Sequence, residues 1–91
     1  DLNPGTAWCP SMQFVMALAC RYLKLTPAQA LAAATINAAK AIGRDAVIGS
    51  LEPGMQADLL VLSVDDYRHL VYRFGGNLVD TVIKKGKIVY R

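Results

Sequence analysis

Between Ser11 and Leu23 the apolar residues keep helical time: Met12, Val15, Met16, Ala19, Cys20 and Leu23 follow the i, i+3, i+4, i+7, i+8, i+11 series, while Phe14, Leu18 and Tyr22 cover a second side. The spacing predicts a helix that is apolar around most of its circumference, and such a helix is expected to be buried. Thr26-Pro27-Ala28-Gln29 then has the form of a capping box with proline at the first helical position. A second helix is expected from Pro27 to about Ile42, with Leu31, Ala34, Ala38 and Ala41 on one stripe, Gln29, Asn37 and Lys40 opposite, and Gly43 ending it.

Past Gly43 the period becomes extended. Residues 49–54 (Gly-Ser-Leu-Glu-Pro-Gly) carry turn chemistry, and residues 57–62 (Ala-Asp-Leu-Leu-Val-Leu) read as a short apolar strand. Residues 65–73 are expected to form a short helix or an irregular crossover. Residues 78–84 and 87–90 flank Lys85-Gly86, a two-residue hairpin signal. Ahead of all this, residues 1–10 have a loop composition, with Asn3-Pro4-Gly5-Thr6 and Cys9-Pro10. The expected architecture is α+β: two helices, then a small β unit.

Composition sharpens the picture. With 54% hydrophobic and 19% charged residues in 91, the chain is no disordered linker and has room for one small domain. A domain of this size buries about two-thirds of its unfolded surface, so a mean hydropathy of +0.29 leaves apolar residues expected to meet a partner surface. The net charge of +3 comes from Lys84, Lys85, Lys87 and Arg91 at the end; elsewhere six bases face seven acids. That distribution gives a solvated hairpin rather than a basic face, so no nucleic-acid partner is expected.

Cys9 and Cys20 form neither a C-x-x-C pair nor a disulfide framework, and a reducing cytoplasm is the expected setting. Asn3, Pro4, Gly5, Pro10 and Gln13 break the uncharged run 2–20, so no membrane span is expected there. The lone His69 reads as a packed side chain, because a zinc site usually needs three protein ligands. Asp58 is expected to bind turn amides and lock the β unit to the helical part, and Trp8, Met12, Met16 and Tyr22 to pack. An opening at Asp1, with no initiator Met and a functional-looking loop already under way, suggests a piece of a longer chain.

Three segments carry a resemblance. Asp1-Leu2-Asn3-Pro4-Gly5-Thr6 resembles the D-x-N-P-G-[S/T] segment of imidazolonepropionases, which are metal-dependent amidohydrolases. Residues 49–59 resemble the superfamily's G-[ST]-x-x-x-G-x-x-A-D-L segment, and Asp66-Tyr67-Arg68-His69-Leu70 followed by Phe74-Gly75 is similar to the same narrower family.

The resemblance implies a (β/α)8 barrel joined to a small β-sandwich, with residues 1–46 supplying the strand-eight loop and closing helices of the barrel and residues 47–91 part of the sandwich. It implies hydrolysis of 4-imidazolone-5-propanoate to N-formimidoyl-L-glutamate in histidine degradation. Asp1 would be a ligand of one divalent ion, Zn or Fe, and a proton acceptor in water activation. Asn3, Gly5 and Thr6 would bind substrate, and Pro4 would stiffen the loop. The remaining ligands would come from an amino-terminal remainder of the same protein, so the segment alone is expected to be inactive. Another amidohydrolase, such as a dihydroorotase or a nucleobase deaminase, is the nearest alternative, and a non-catalytic assembly module the next. Unpaired strand edges make a homodimer a candidate state.

Overall fold

The structure is a computed structural model that describes residues 2–91. Its elements run α1 (Met12–Tyr22), α2 (Pro27–Ala34), α3 (Ile36–Ala41), β1 (Leu59–Leu62), α4 (His69–Tyr72), β2 (Val79–Lys84) and β3 (Lys87–Tyr90).

The first helix starts where its cap dictates. The Ser11 hydroxyl accepts from the Phe14 amide at 3.3 Å, satisfying one of the donors left open at a helix start. The second has both halves of its capping box: the Thr26 amide donates to Gln29 Oε1 at 2.9 Å, and the Gln29 amide donates to Thr26 Oγ1 at 3.2 Å.

The single helix expected over 27–42 is two. The Thr35 hydroxyl donates to the Leu31 carbonyl at 2.7 Å, and Thr35 leaves helical geometry at φ −121°, ψ −91°. Back-bonding of this kind bends helices, and two successive β-branched residues, Thr35 and Ile36, weaken the helix at the same point. The break rotates the second piece, so the buried alanines are Ala30 and Ala39, whereas the predicted stripe positions Ala38 and Ala41 are exposed. Gly43, at φ 70°, ends α3 as expected, with the Arg44 amide returning to the Ala39 carbonyl at 2.8 Å.

The three strands form one antiparallel sheet in the order β1-β2-β3, with Leu59 opposite Ile83 and Lys84 opposite Lys87. Both central residues of the hairpin turn, Lys85 and Gly86, have positive φ (51° and 79°), the twist that a two-residue hairpin requires. The first strand begins two residues later than expected. Ala57 spends its carbonyl on the Gly86 amide and Asp58 turns its amide back to Gln56, so neither joins the ladder.

The core is small and draws on both ends of the chain. Met16 and Ala30 from the helices meet Leu70 and Leu78 from the β unit, with Cys20, Leu31, Leu62 and Val64 around them. Of the residues expected to pack, Met16 is 6% exposed, but Met12 is exposed and Trp8 and Tyr22 reach 78% and 76%. The expectation of a buried first helix is therefore met only along its Met16–Ala17 side. One small sheet and the four helices described offer too little surface to cover the rest. Among the described residues no helix is long and apolar enough to cross a membrane.

Candidate functional site

Asp1 lies outside the described residues, so the site is built here from Asn3 onward. Residues 3–7 close on themselves: the Asn3 amide donates to the Ala7 carbonyl at 2.7 Å, and the Ala7 amide returns to the Asn3 carbonyl at 3.2 Å. The Asn3 side chain fills the turn. Its Oδ1 accepts from the Gly5 amide at 2.8 Å, the Thr6 amide at 2.7 Å and the Thr6 hydroxyl at 2.8 Å. Such an Asx arrangement replaces backbone contacts that the chain alone cannot make in so tight a loop.

The three substrate-binding candidates, Asn3, Gly5 and Thr6, are thus brought together, but their donors point inward. Because a backbone N–H is a fixed donor, the bond from Gly5 also settles which end of the Asn3 amide is oxygen. Among the described residues the Asn3 Nδ2 hydrogens have no hydrogen-bond partner, and no donor reaches Thr6 Oγ1. Gly5 does not need its freedom for a positive φ. It needs it for space, since a Cβ there would stand 3.3 Å from Asn3 Oδ1.

Four residues beyond Ala7, Ser11 caps α1, so the loop hangs from that helix. Gln13 anchors the same helix end: its Oε1 accepts from the Leu78 amide at 3.1 Å and its Nε2 donates to Asn77 Oδ1 at 2.9 Å. Behind it the Phe14 and Phe74 rings sit 6.2 Å apart, and the Arg21 guanidinium lies 4.6 Å over the Phe74 ring, within cation–π range.

Asp58 does bind turn amides. It accepts from the Lys85 amide at 2.9 Å, the Lys84 ammonium at 2.7 Å and Gln56 Nε2 at 2.7 Å. The Lys84 hydrogen bond first, then the Lys85 amide, hold its carboxyl down from 3.8 to about 2. Its partners among the described residues all belong to the β unit, so it ties the approach to β1 to the hairpin. His69 packs edge-on to Tyr72, ring centroids 6.5 Å apart, and its Nδ1 is buried without a hydrogen-bond partner among the described residues. No group of three His, Cys, Asp or Glu side chains among the described residues is placed to hold a metal ion, and both cysteines are free.

Residues 5–89 match the profile of the amidohydrolase family. The chain belongs to the amidohydrolase family. It is 56% identical over 89 residues to an imidazolonepropionase of Chloroflexus aggregans, covering 98% of this chain and 21% of that protein. To a probable imidazolonepropionase of Bos taurus it is 50% identical over 93 residues, covering all of this chain and 22% of the other. Among solved structures it resembles E. coli guanine deaminase, with a TM-score of 0.73 at 25% identity, over 89% of this chain and 24% of that one. This amidohydrolase segment therefore spans about a fifth of the length of the curated relatives it matches.

Within the amidohydrolase segment, sequence reasoning found the loop and Asp58 but missed Gln13 and Asn77. They lie 64 positions apart, and no local spacing could have paired them.

Proposed function

We propose that this chain is the carboxy-terminal part of an imidazolonepropionase, the enzyme that opens the ring of 4-imidazolone-5-propanoate by hydrolysis to give N-formimidoyl-L-glutamate in histidine degradation. The observation that carries the reading is near-complete coverage of this chain, at 50–56% identity, by proteins of that one name from bacteria and cattle. Guanine deaminase, at 25% identity, supports the architecture and leaves a nucleobase deaminase as the second reading. On this proposal residues 1–46 close a (β/α)8 barrel, residues 47–91 belong to a β-sandwich, and the protein works in the cytoplasm.

Asp1 is proposed as one ligand of a divalent metal ion, zinc or iron, the other ligands lying outside this segment. When bound, such an ion supplies Lewis-acid activation of water, lowering its pKa from that of bulk water to about 7. A carboxylate suits this as a hard oxygen donor and as a proton acceptor. Barrel enzymes carry their catalytic groups at the carboxyl ends of strands, which is where this loop would fall.

The chain's own contribution is recognition. Asn3, locked by three hydrogen bonds to its oxygen, presents its Nδ2 hydrogens as donors suited to the propanoate carboxylate or a ring carbonyl. Thr6 presents an acceptor oxygen, and Gly5 leaves room for close approach. The test is turnover of 4-imidazolone-5-propanoate, dihydroorotate and guanine by the intact polypeptide that carries this segment. Ring opening of the first alone is expected; faster turnover of either of the others contradicts the assignment.

A further inference from the structure

We infer that Gln13 is a positioning residue: its two hydrogen bonds to the start of β2 fix where the loop of residues 3–7 sits, and with it the Asn3 amide that faces substrate. The inference rests on the functional reading above for the word substrate, but its structural half does not.

Three features carry it. The loop has little independence, because only residues 8–10 separate its closing residue, Ala7, from the Ser11 cap, so any tilt or rotation of the α1 N-terminus is passed on to Asn3. Gln13 is the second residue of that helix, and both ends of its amide are engaged: Oε1 accepts from Leu78 N–H at 3.1 Å, and Nε2 donates to Asn77 Oδ1 at 2.9 Å. Asn77 is itself fixed, since the same oxygen accepts from the Val79 amide at 3.0 Å.

These bonds span 64 and 65 positions, while no other side-chain hydrogen bond among the described residues exceeds 27. They are thus the polar link between the helical half and the β unit. Met16, one turn on, holds the two together by packing, which resists separation but tolerates sliding. Two directional bonds from one planar amide do not tolerate it. The loop's approach and the Gly75-Gly76-Asn77 strap face each other across an open depression of about 510 Å³, and the other contacts between α1 and this strap's approach, Phe14 and Arg21 on the Phe74 ring, lack the directionality of the clamp.

The test uses the intact polypeptide with 4-imidazolone-5-propanoate. Gln13→Met removes both bonds at nearly constant volume, and Asn77→Ala removes the acceptor. Asn77→Asp keeps it, and Ile83→Ala destabilises the sheet away from the clamp. Expected is a KM raised about tenfold in the first two, the size of one net hydrogen bond, with kcat little changed. Asn77→Asp stays near the parent, and Ile83→Ala lowers the thermal midpoint without moving KM. An unchanged KM in Gln13→Met, or an equal rise in Ile83→Ala, overturns the role. If Gln13→Met does not fold, Asn77→Ala against Asn77→Asp makes the same comparison. Hydrogen exchange at the amides of residues 3–7 reads the loop without any substrate. Faster exchange in Gln13→Met but not in Asn77→Asp supports the clamp even if the parent proves to act on something else, and equal exchange in all of them sinks it.

Discussion

One oxygen atom organises the opening loop. Asn3 Oδ1 takes three donors, so Asn3→Ala should release the turn and raise KM for the proposed substrate about tenfold or more, the worth of one to two hydrogen bonds. Asn3→Asp separates the two jobs of this side chain. It keeps the acceptor and removes the outward NH₂, so the loop should stay closed by hydrogen exchange while substrate affinity falls. Asp58 makes a different kind of residue-scale prediction. Its carboxyl titrates at about 2 instead of 3.8, a lowered value, so the stability it lends is full above pH 3.8 and is lost as the pH falls towards 2. The difference in melting temperature between the parent and Asp58→Asn should therefore shrink across that window and be constant above it. These residues were legible in the sequence because their partners are local or announced by a motif. Gln13 was not, since its meaning depends on an amide 65 positions away.

Elements followed their signals wherever the signal was a cap or a turn. Thr26 and Gln29 start α2 as a reciprocal pair, so Thr26→Ala should cost about 1 kcal/mol, measured by denaturant unfolding. Lys85 occupies a left-handed conformation that costs a lysine about 1 kcal/mol and suits asparagine, so Lys85→Asn should stabilise the hairpin by a few tenths to about 1 kcal/mol while keeping the Asp58 bond to the same amide. Where the elements departed from expectation, a side chain competed with the backbone: the Thr35 hydroxyl split the second helix, and the turn contacts of Ala57 and Asp58 delayed β1. Hydrophobic period alone could not foresee either, because it counts where apolar groups fall and not which polar group reaches a carbonyl. Gly49 is the tertiary counterpart. At φ 103°, with a would-be Cβ 2.8 Å from Ala39 Cβ, it lets its loop lie against the α2–α3 break.

At the scale of the molecule, one small core joins both halves while much apolar surface stays open. Met16 sits at its centre, and Met16→Ala should cost about 2–5 kcal/mol. Trp8, Tyr22 and Tyr72 are more than three-quarters exposed, and β3 is exposed along its whole length. The excess of apolar residues was visible in composition, but which of them stay uncovered was not, because that depends on how the break at Thr35 turns α3 and on what lies across the sheet. The 91-residue chain by itself should self-associate, with sedimentation as the measure, and should not open the imidazolone ring. On the proposed function, the opening loop brings a metal-binding carboxylate to a substrate site. Metal content and ring-opening rate measured together on the intact polypeptide and its Asp1→Ala variant test it most directly. Expected are about one divalent ion per parent chain, and in the variant a loss of metal or rate larger than the roughly hundredfold that removing a supporting hydrogen bond costs. Full metal content and full rate in Asp1→Ala would contradict it.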